Sequence, residues 1–243
     1  MPLTAIILAG GKQTRLRDIG LSCPKALAEL SGTPLLNYQI RQLQQVATSI
    51  IIAGGRLSDI FYRIYATSSP VKISPDPVIG TGVALLEAAK IITDDHLIIC
   101  NADTVNDLPL QDIVDHYFLH YASLCMIVLT RREGVQNSGA FAVDASNRVI
   151  RSYEDRNLGS PPHPEAVWHG ASTGVIMMPR RLLRNVHPFQ SHSLEQDILP
   201  ELIWRGKVYA FDNGTSFSLD IGTPERFGQF AKIKKDVLEL FQY

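Results

Sequence analysis

The sequence has no apolar run approaching the roughly 20 residues that a membrane-spanning helix needs, and its first residues lack the basic flank and long apolar segment of a secretory signal. Both absences point to a cytoplasmic protein with no membrane partner. Cysteine is scarce. Cys23, Cys100 and Cys125 are odd in number and none stands in C-x-x-C spacing, which argues against a disulfide framework or a zinc knuckle and suits a reducing compartment. They read as ordinary thiols. Nor is either charge in excess: with 23 basic and 24 acidic residues there is no bulk field to hold nucleic acid, so any phosphate recognition must be local. A small-molecule partner is what remains.

At 243 residues the chain is long enough for a substantial core without staples. Strand-like runs alternate with helical patterns through the first half. Ala5 to Leu8, "SIIIAGG", "VKIS", "HLIIC" and "LCMIVLT" read as strands, and helices are expected near Leu35 to Val46, Leu57 to Ala66, Val83 to Ile92 and Leu110 to Tyr121. Strands that are apolar almost throughout, separated by helices, predict an α/β fold of three layers around a mainly parallel sheet. From Ser138 the rhythm changes: "GAFAV" and "RVIRSY" flank the turn-rich "DASN", the pattern of a β-hairpin. "HGASTGVIMM" predicts a further strand, and Ser193 with Gln196 resembles a capping box opening the helix "LEQDILPELIWRG". "KVYAFD" and "FSLDIG" read as closing strands, and apolar spacing predicts a last helix over Pro224 to Tyr243. "GSPPHPEA" reads as an exposed loop. The simplest organisation is one domain over 1–243, with a half up to about residue 130 and an elaborated second half from about 131.

Ligands of open α/β sheets bind beyond the carboxyl ends of the strands. There the first strand runs into Gly10 and Gly11, followed by Lys12, Arg15 and Arg17. Glycines let the backbone approach a ligand and turn amides inward, and an arginine offers a planar fork of donors to phosphate oxygens. The spacing is neither G-x-x-x-x-G-K-[ST] nor G-x-G-x-x-G, which argues against a P-loop and a pyridine-dinucleotide oxidoreductase. A glycine turn after a first strand also suits a purely structural connection. Lys12 and Arg17 read as solvated flanking charges. His116 and His120 stand four apart on an expected helix, but no Glu follows the first in the H-E-x-x-H manner, so they read as ordinary helix residues.

The ordered segments "LAGGKQTRL", "PKALAELSGTPLL", "GTGVALLEAA", "NADT", "STGVIMM" and "SLEQDILPELI…FSLDIGTPE" resemble the motifs of sugar-1-phosphate nucleotidyltransferases over nearly the whole chain. The likeness is closest to the short heptose-1-phosphate guanylyltransferases, where "SLE-x-D-x-L-P" and "DIGTPE" are typical. It implies a Rossmann-like sheet that binds a nucleoside triphosphate, here GTP, with a sugar-1-phosphate-binding second half. It also implies release of pyrophosphate on forming a nucleotide sugar for a lipopolysaccharide or capsule, with Mg²⁺ as cofactor. Homodimers are compatible with the pattern. The resemblance places Leu8, Ala9, Gly10, Gly11, Gln13 and Thr14 around the nucleotide together with Gly80, Thr81 and Gly82. Asn101, Arg156, Gly174 and Glu195 fall around the sugar phosphate, with Asp197 a weaker candidate, and Asp103 and Asp220 on the metal.

The chemistry agrees. Attack of one phosphate on another brings anions together, so catalysis calls for positioning and charge neutralisation more than for a nucleophilic side chain. Arg15, and Lys25 in "CPKAL", supply the cations. Asp103 and Asp220 each follow a strand, where an aspartate suits either a Mg²⁺ site completed by phosphate and water or the cap of the next turn. Two departures stand out: Gln13 replaces the second glycine of the usual Gly-x-Gly-Thr-Arg, and "SYEDRN" puts Asp155 in the place of the lysine of the family's Glu-Lys pair, with Arg156 beside it. A catalytically weak paralogue that binds a nucleotide sugar and regulates a partner is the rival reading.

Overall fold

The computed structural model describes residues 1–10, 23–30, 32–67, 70–74, 80–131, 140–153, 163–186, 193–215 and 217–230. The chain begins with β1 (Leu3–Leu8), then a two-stranded ribbon of β2 (Glu29–Leu30) and β3 (Thr33–Pro34), helix α1 (Leu35–Gln44), β4 (Ser49–Ala53) and α2 (Ser58–Tyr65). Next come β5 (Val71–Ile73), α3 (Thr81–Lys90), β6 (His96–Asn101), β7 (Thr104–Asn106), α4 (Leu110–His120) and β8 (Cys125–Arg131). The second half holds β9 (Ala140–Val143), β10 (Val149–Ser152), β11 (Trp168–Pro179), α5 (Leu199–Trp204), β12 (Val208–Asp212), β13 (Ser218–Asp220) and α6 (Pro224–Phe230).

The main sheet runs β10-β9-β11-β6-β1-β4-β5, with β8 on the other edge of β11 and β12 outside it. β1 pairs in parallel with β4 and β6, β4 with β5, and β8 with β12. Only β11 and the hairpin strand β10 oppose the common direction. The expected mainly parallel α/β sheet is present, and so is the hairpin after residue 138. The twelve-residue β11 joins the halves: its first part pairs with β9 and its last part with β6, while β8 lies along its other edge.

Every residue of β1 is buried, and its side chains alternate between two cores. Ile6 and Leu8 pack with Ala84 and Leu85 of α3 and Leu202 of α5, whereas Ala5 and Ile7 pack with Leu36 and Ile40 of α1, Phe61 of α2 and Tyr117 of α4. Both faces are therefore covered, which is why the strand reads as an unbroken apolar run. Each fully buried Leu, Ile or Phe side chain contributes on the order of 1.5–3 kcal/mol of transfer free energy. Among the described residues no helix is long and apolar enough to cross a membrane.

Some boundaries differ from the sequence reading. The β2–β3 ribbon, strand β7 and the pairing of β7 with β13 carry too few residues to show a period and were not expected, whereas β13 itself falls in the closing strand read at "FSLDIG". The segment read as one helix after Ser193 divides into a wide π-type turn over Leu194–Ile198 and α5, where Pro200 sits in the first turn. Gln196 N donates to Ser193 Oγ at 3.1 Å, as the capping pattern predicts. The last helix is described only to Phe230, and of the Pro-rich segment 159–166 only the second half, from His163, lies among the described residues. Cys100 and Cys125 are buried free thiols, pushed up to about 12 by burial, which makes them inert. His116 and His120 pack ring to ring among Tyr121 and Phe211, and no cluster of three potential metal ligands occurs among the described residues.

Candidate functional site

Leu8, Ala53 and Asn101 are register partners across β4, β1 and β6, so three strands end at one level and their following residues leave the sheet side by side. This is the crevice expected where the chain winds to one side of β1 and then crosses to the other. Ala9 N donates to Ala53 O at 3.0 Å, and Ala102 N donates to Leu8 O at 3.1 Å, which ties the three exits together. Gly10 passes so near the next turn that a Cβ on it would lie 3.1 Å from Gly54 O. A side chain there would press on the Gly54–Gly55 backbone, so glycine suits this close approach of the two loops.

Asp103 stands at the apex of the turn between β6 and β7. Its Oδ2 accepts from Lys25 Nζ at 3.3 Å, and the two side chains are 34% and 18% exposed. Lys25 itself is presented by a single 3₁₀ turn over Lys25–Leu27 that follows Pro24 and is anchored by buried Ala26. β13 pairs antiparallel with β7, with Asp220 opposite Thr104, and Ile221 N donates to Asp103 O at 2.8 Å. The two aspartates therefore meet across a miniature sheet that sequence periodicity does not reveal. A Cβ placed on Gly222 would lie 2.7 Å from Asp220 Oδ1 and 3.7 Å from Lys25 Nζ, so lysine and both carboxylates converge. Asp220 also caps its own turn: Oδ1 accepts from Gly222 N at 2.9 Å, and Oδ2 pairs with Arg226 of α6. Capping and convergence, alternatives in the sequence, coexist here. Two hard carboxylates carried on adjoining turns, both near Lys25, are a donor set that suits Mg²⁺, which takes one or two protein carboxylates and fills its octahedron with phosphate and water.

A second cluster joins the start of α3 to the segment after Ser193. Thr81 Oγ1 donates to Glu195 Oε2 at 2.8 Å and accepts from Leu194 N at 2.9 Å, while Ser193 Oγ donates to the same carboxylate oxygen at 3.1 Å. The Thr81 hydroxyl is thus engaged within the protein. Asp197 Oδ2 accepts from Ser193 N at 2.8 Å and closes the helix start, so this carboxylate supports the turn. Gly80 precedes α3 and its carbonyl accepts from Ala84 N, and Gly82 is buried in the first turn. Gly174 has φ +79°, and a Cβ there would lie 3.2 Å from Asn101 Cβ and Thr104 Oγ1. Glycine at this position lets β11 pack closely on the β6–β7 turn.

The structure thus brings Lys25, Asp103 and Asp220 together, sets Asn101 against Gly174, and places Gly80, Thr81 and Gly82 beside Glu195 through a different set of bonds. Gly11, Gln13, Thr14, Arg15, Asp155 and Arg156 lie outside the described residues. Sequence reasoning missed Gln39 and Arg226. Gln39 is a polar residue on the buried face of α1, and that misfit with the apolar stripe is the signal that marks it. Arg226 immediately follows "DIGTPE", and nothing in its local pattern indicates Asp220 as its partner.

The chain matches the MobA-like NTP transferase domain over residues 5–192. It is 26% identical over 235 residues to the mannose-1-phosphate guanyltransferase of Pichia angusta, an alignment that covers 93% of this chain and 62% of that one. The chain therefore spans under two thirds of the length of this relative. Among solved structures, HddC from Yersinia pseudotuberculosis in complex with GMP-PN superposes with a TM-score of 0.70 at 22% identity, covering 94% of this chain and 98% of that one. A putative glucose-1-phosphate thymidylyltransferase from Bacillus anthracis gives 0.74 at 16% identity, covering 96% of each chain. These structural likenesses establish the Rossmann-like fold. With the match extending from β1 through β11, the chain belongs to the MobA-like NTP transferase family.

Proposed function

We propose that the chain transfers a nucleotidyl group from a nucleoside triphosphate, with GTP as donor, to a heptose or hexose 1-phosphate, forming a nucleotide sugar and releasing pyrophosphate. The observation that carries this reading is the convergence of Lys25, Asp103 and Asp220 at the carboxyl ends of β1 and β6. Guanine as the base is supported by a relative named mannose-1-phosphate guanyltransferase. The "SLEQDILP" and "DIGTPE" segments support a heptose.

An oxygen of the sugar phosphate attacks the α-phosphorus, a new P–O bond forms, and the bond from that phosphorus to the bridging oxygen breaks with its electron pair leaving on pyrophosphate. No side chain has to become covalently attached, so the protein's work is to hold two anions together. Lys25 contributes a point charge that exchanges its contact with Asp103 for a phosphate oxygen. Asp103 and Asp220 would hold Mg²⁺, which when bound supplies charge neutralisation at the phosphates. Arg226 keeps the Asp220 carboxylate compensated and oriented. A location in the cytoplasm and a role in supplying a bacterial surface glycan belong to the same proposal.

The test is a matrix of the four common nucleoside triphosphates against sugar 1-phosphates, with pyrophosphate release as the readout. Turnover highest with GTP and a heptose or hexose 1-phosphate is expected. No pyrophosphate from any pair, together with tight binding of a nucleotide sugar, would instead favour the regulatory paralogue.

A further inference from the structure

Gln39 lies on α1, outside every motif of the family resemblance, and is 8% exposed. Its Nε2 donates to Asn101 O at 2.8 Å and to Thr104 O at 3.0 Å. Those carbonyls belong to the last residue of β6 and the first of β7, and the two residues between them are Ala102 and Asp103. One amide group therefore clamps both ends of the turn that carries the aspartate. Two further bonds fix its apex, from Ala102 N to Leu8 O and from Ile221 N to Asp103 O. These two come from elements that themselves carry the site, whereas Gln39 approaches from the helical layer beneath. Its own Oε1 has no hydrogen-bond partner among the described residues. Both N–H donors of this buried amide are thus spent on a single turn, which ties the geometry of that turn to α1.

We propose that Gln39 is a positioning residue for the metal site: by clamping Asn101 O and Thr104 O it sets the direction of the Asp103 carboxylate, and so the affinity of the site for a divalent cation. This rests on the reading of Asp103 as a metal ligand given under the proposed function. A carboxylate whose backbone rocks by a fraction of an ångström no longer shares a cation with Asp220, because a small octahedral ion tolerates little error in ligand placement.

The experiment is a titration with Mn²⁺ alone, followed by the electron paramagnetic resonance signal of the free ion, on the full chain and on Gln39→Met, Gln39→Asn and Asp103→Asn. Methionine keeps the length of the side chain and removes both donors, and asparagine keeps the amide but is one methylene too short to reach both carbonyls. Thermal melting and circular dichroism of each variant define the temperature at which it is folded, and titrations are run below it. Expected is a rise in the Mn²⁺ dissociation constant of about tenfold or more in both Gln39 variants. The Mg²⁺ concentration for half-maximal pyrophosphate release should rise with it, while KM for the sugar phosphate moves much less. Folded Gln39 variants that bind Mn²⁺ within twofold of the wild type, beside an impaired Asp103→Asn, overturn this inference and leave the metal reading intact. Unchanged Mn²⁺ binding in Asp103→Asn overturns both.

Discussion

Asp103→Asn separates chemistry from folding at this site. The substitution keeps side-chain shape, and the backbone bonds that hold the turn, from Ile221 N, to Leu8 O and from Gln39, do not involve the carboxylate. What is lost is the charge facing Lys25 at 3.3 Å. With an effective dielectric of about 20, the bare attraction at that separation is roughly 5 kcal/mol. The side chains are 34% and 18% exposed, and ordering both of them in partial contact with water offsets most of that attraction. A net contribution to stability of about 0–1 kcal/mol is therefore expected. In a domain of this size that is a change in Tm of at most about 4 °C. Under the proposed function the effect on turnover is of another order, because loss of a metal ligand would take charge stabilisation from the transition state itself. A fall in kcat of about 10²- to 10³-fold, roughly 2.7–4 kcal/mol, is expected under saturating substrates and Mg²⁺. Pyrophosphate release measured beside a thermal melt decides the matter. A kcat within threefold of the wild type would remove Asp103 from the metal shell, and a loss of more than about 10 °C in Tm would show the carboxylate to be structural.

Gly174→Ala places a Cβ 3.2 Å from Asn101 and Thr104 at a residue with φ +79°, and a destabilisation of about 1–3 kcal/mol is expected; a chemical denaturation midpoint equal to the wild type's would contradict this packing. The imidazole of His96 is held below its ordinary value by burial, with Arg181 adding to the effect and Asp95 opposing it, and His116 is held down by burial and by His120. The unfolded chain therefore takes up these protons first as pH falls through about 6.5. Stability should drop as pH falls through about 6.5 and level off only below the lower folded-state values. The double variant His96→Gln/His116→Gln should flatten that slope in thermal melts, and parallel slopes for the two proteins would refute the assignment.

The outline of the fold was legible because its sheet is buried on both faces. Strands such as "TAIIL" and "HLIIC" must then be apolar at nearly every position, and the amphipathic helices between them carry the other period. The hairpin and the Ser193 cap were legible for a similar reason, since turn residues and caps act within a few positions of themselves. β7 carries no such signal, and "FSLDIG", though legible as a strand, carries nothing that says which segment it pairs with. β7 and β13 exist because they find one another across the chain, and it is their pairing that turns two separate aspartates into one site. The resemblance indicated Asp103 and Asp220, but not the means by which they meet.

The partners that the sequence did not indicate follow from the same distinction between local and distant causes. Asp197 sits in a first helical turn, where a carboxylate is favoured whatever else it does, and its oxygen is spent on Ser193 N. Thr81 belongs to a motif associated with the nucleotide, yet its hydroxyl bridges Leu194 and Glu195. In each case the residue type was informative and the partner was not, because the partner is set by which loops the sheet brings to its carboxyl edge. Gln39 is the converse. Its position in the helix is wrong for an isolated amphipathic pattern, and becomes intelligible only when two carbonyls from the β6–β7 turn are found above it. A buried amide on an otherwise apolar face is thus a sequence-level mark of a backbone segment elsewhere that needs its carbonyls satisfied, and here that segment carries Asp103.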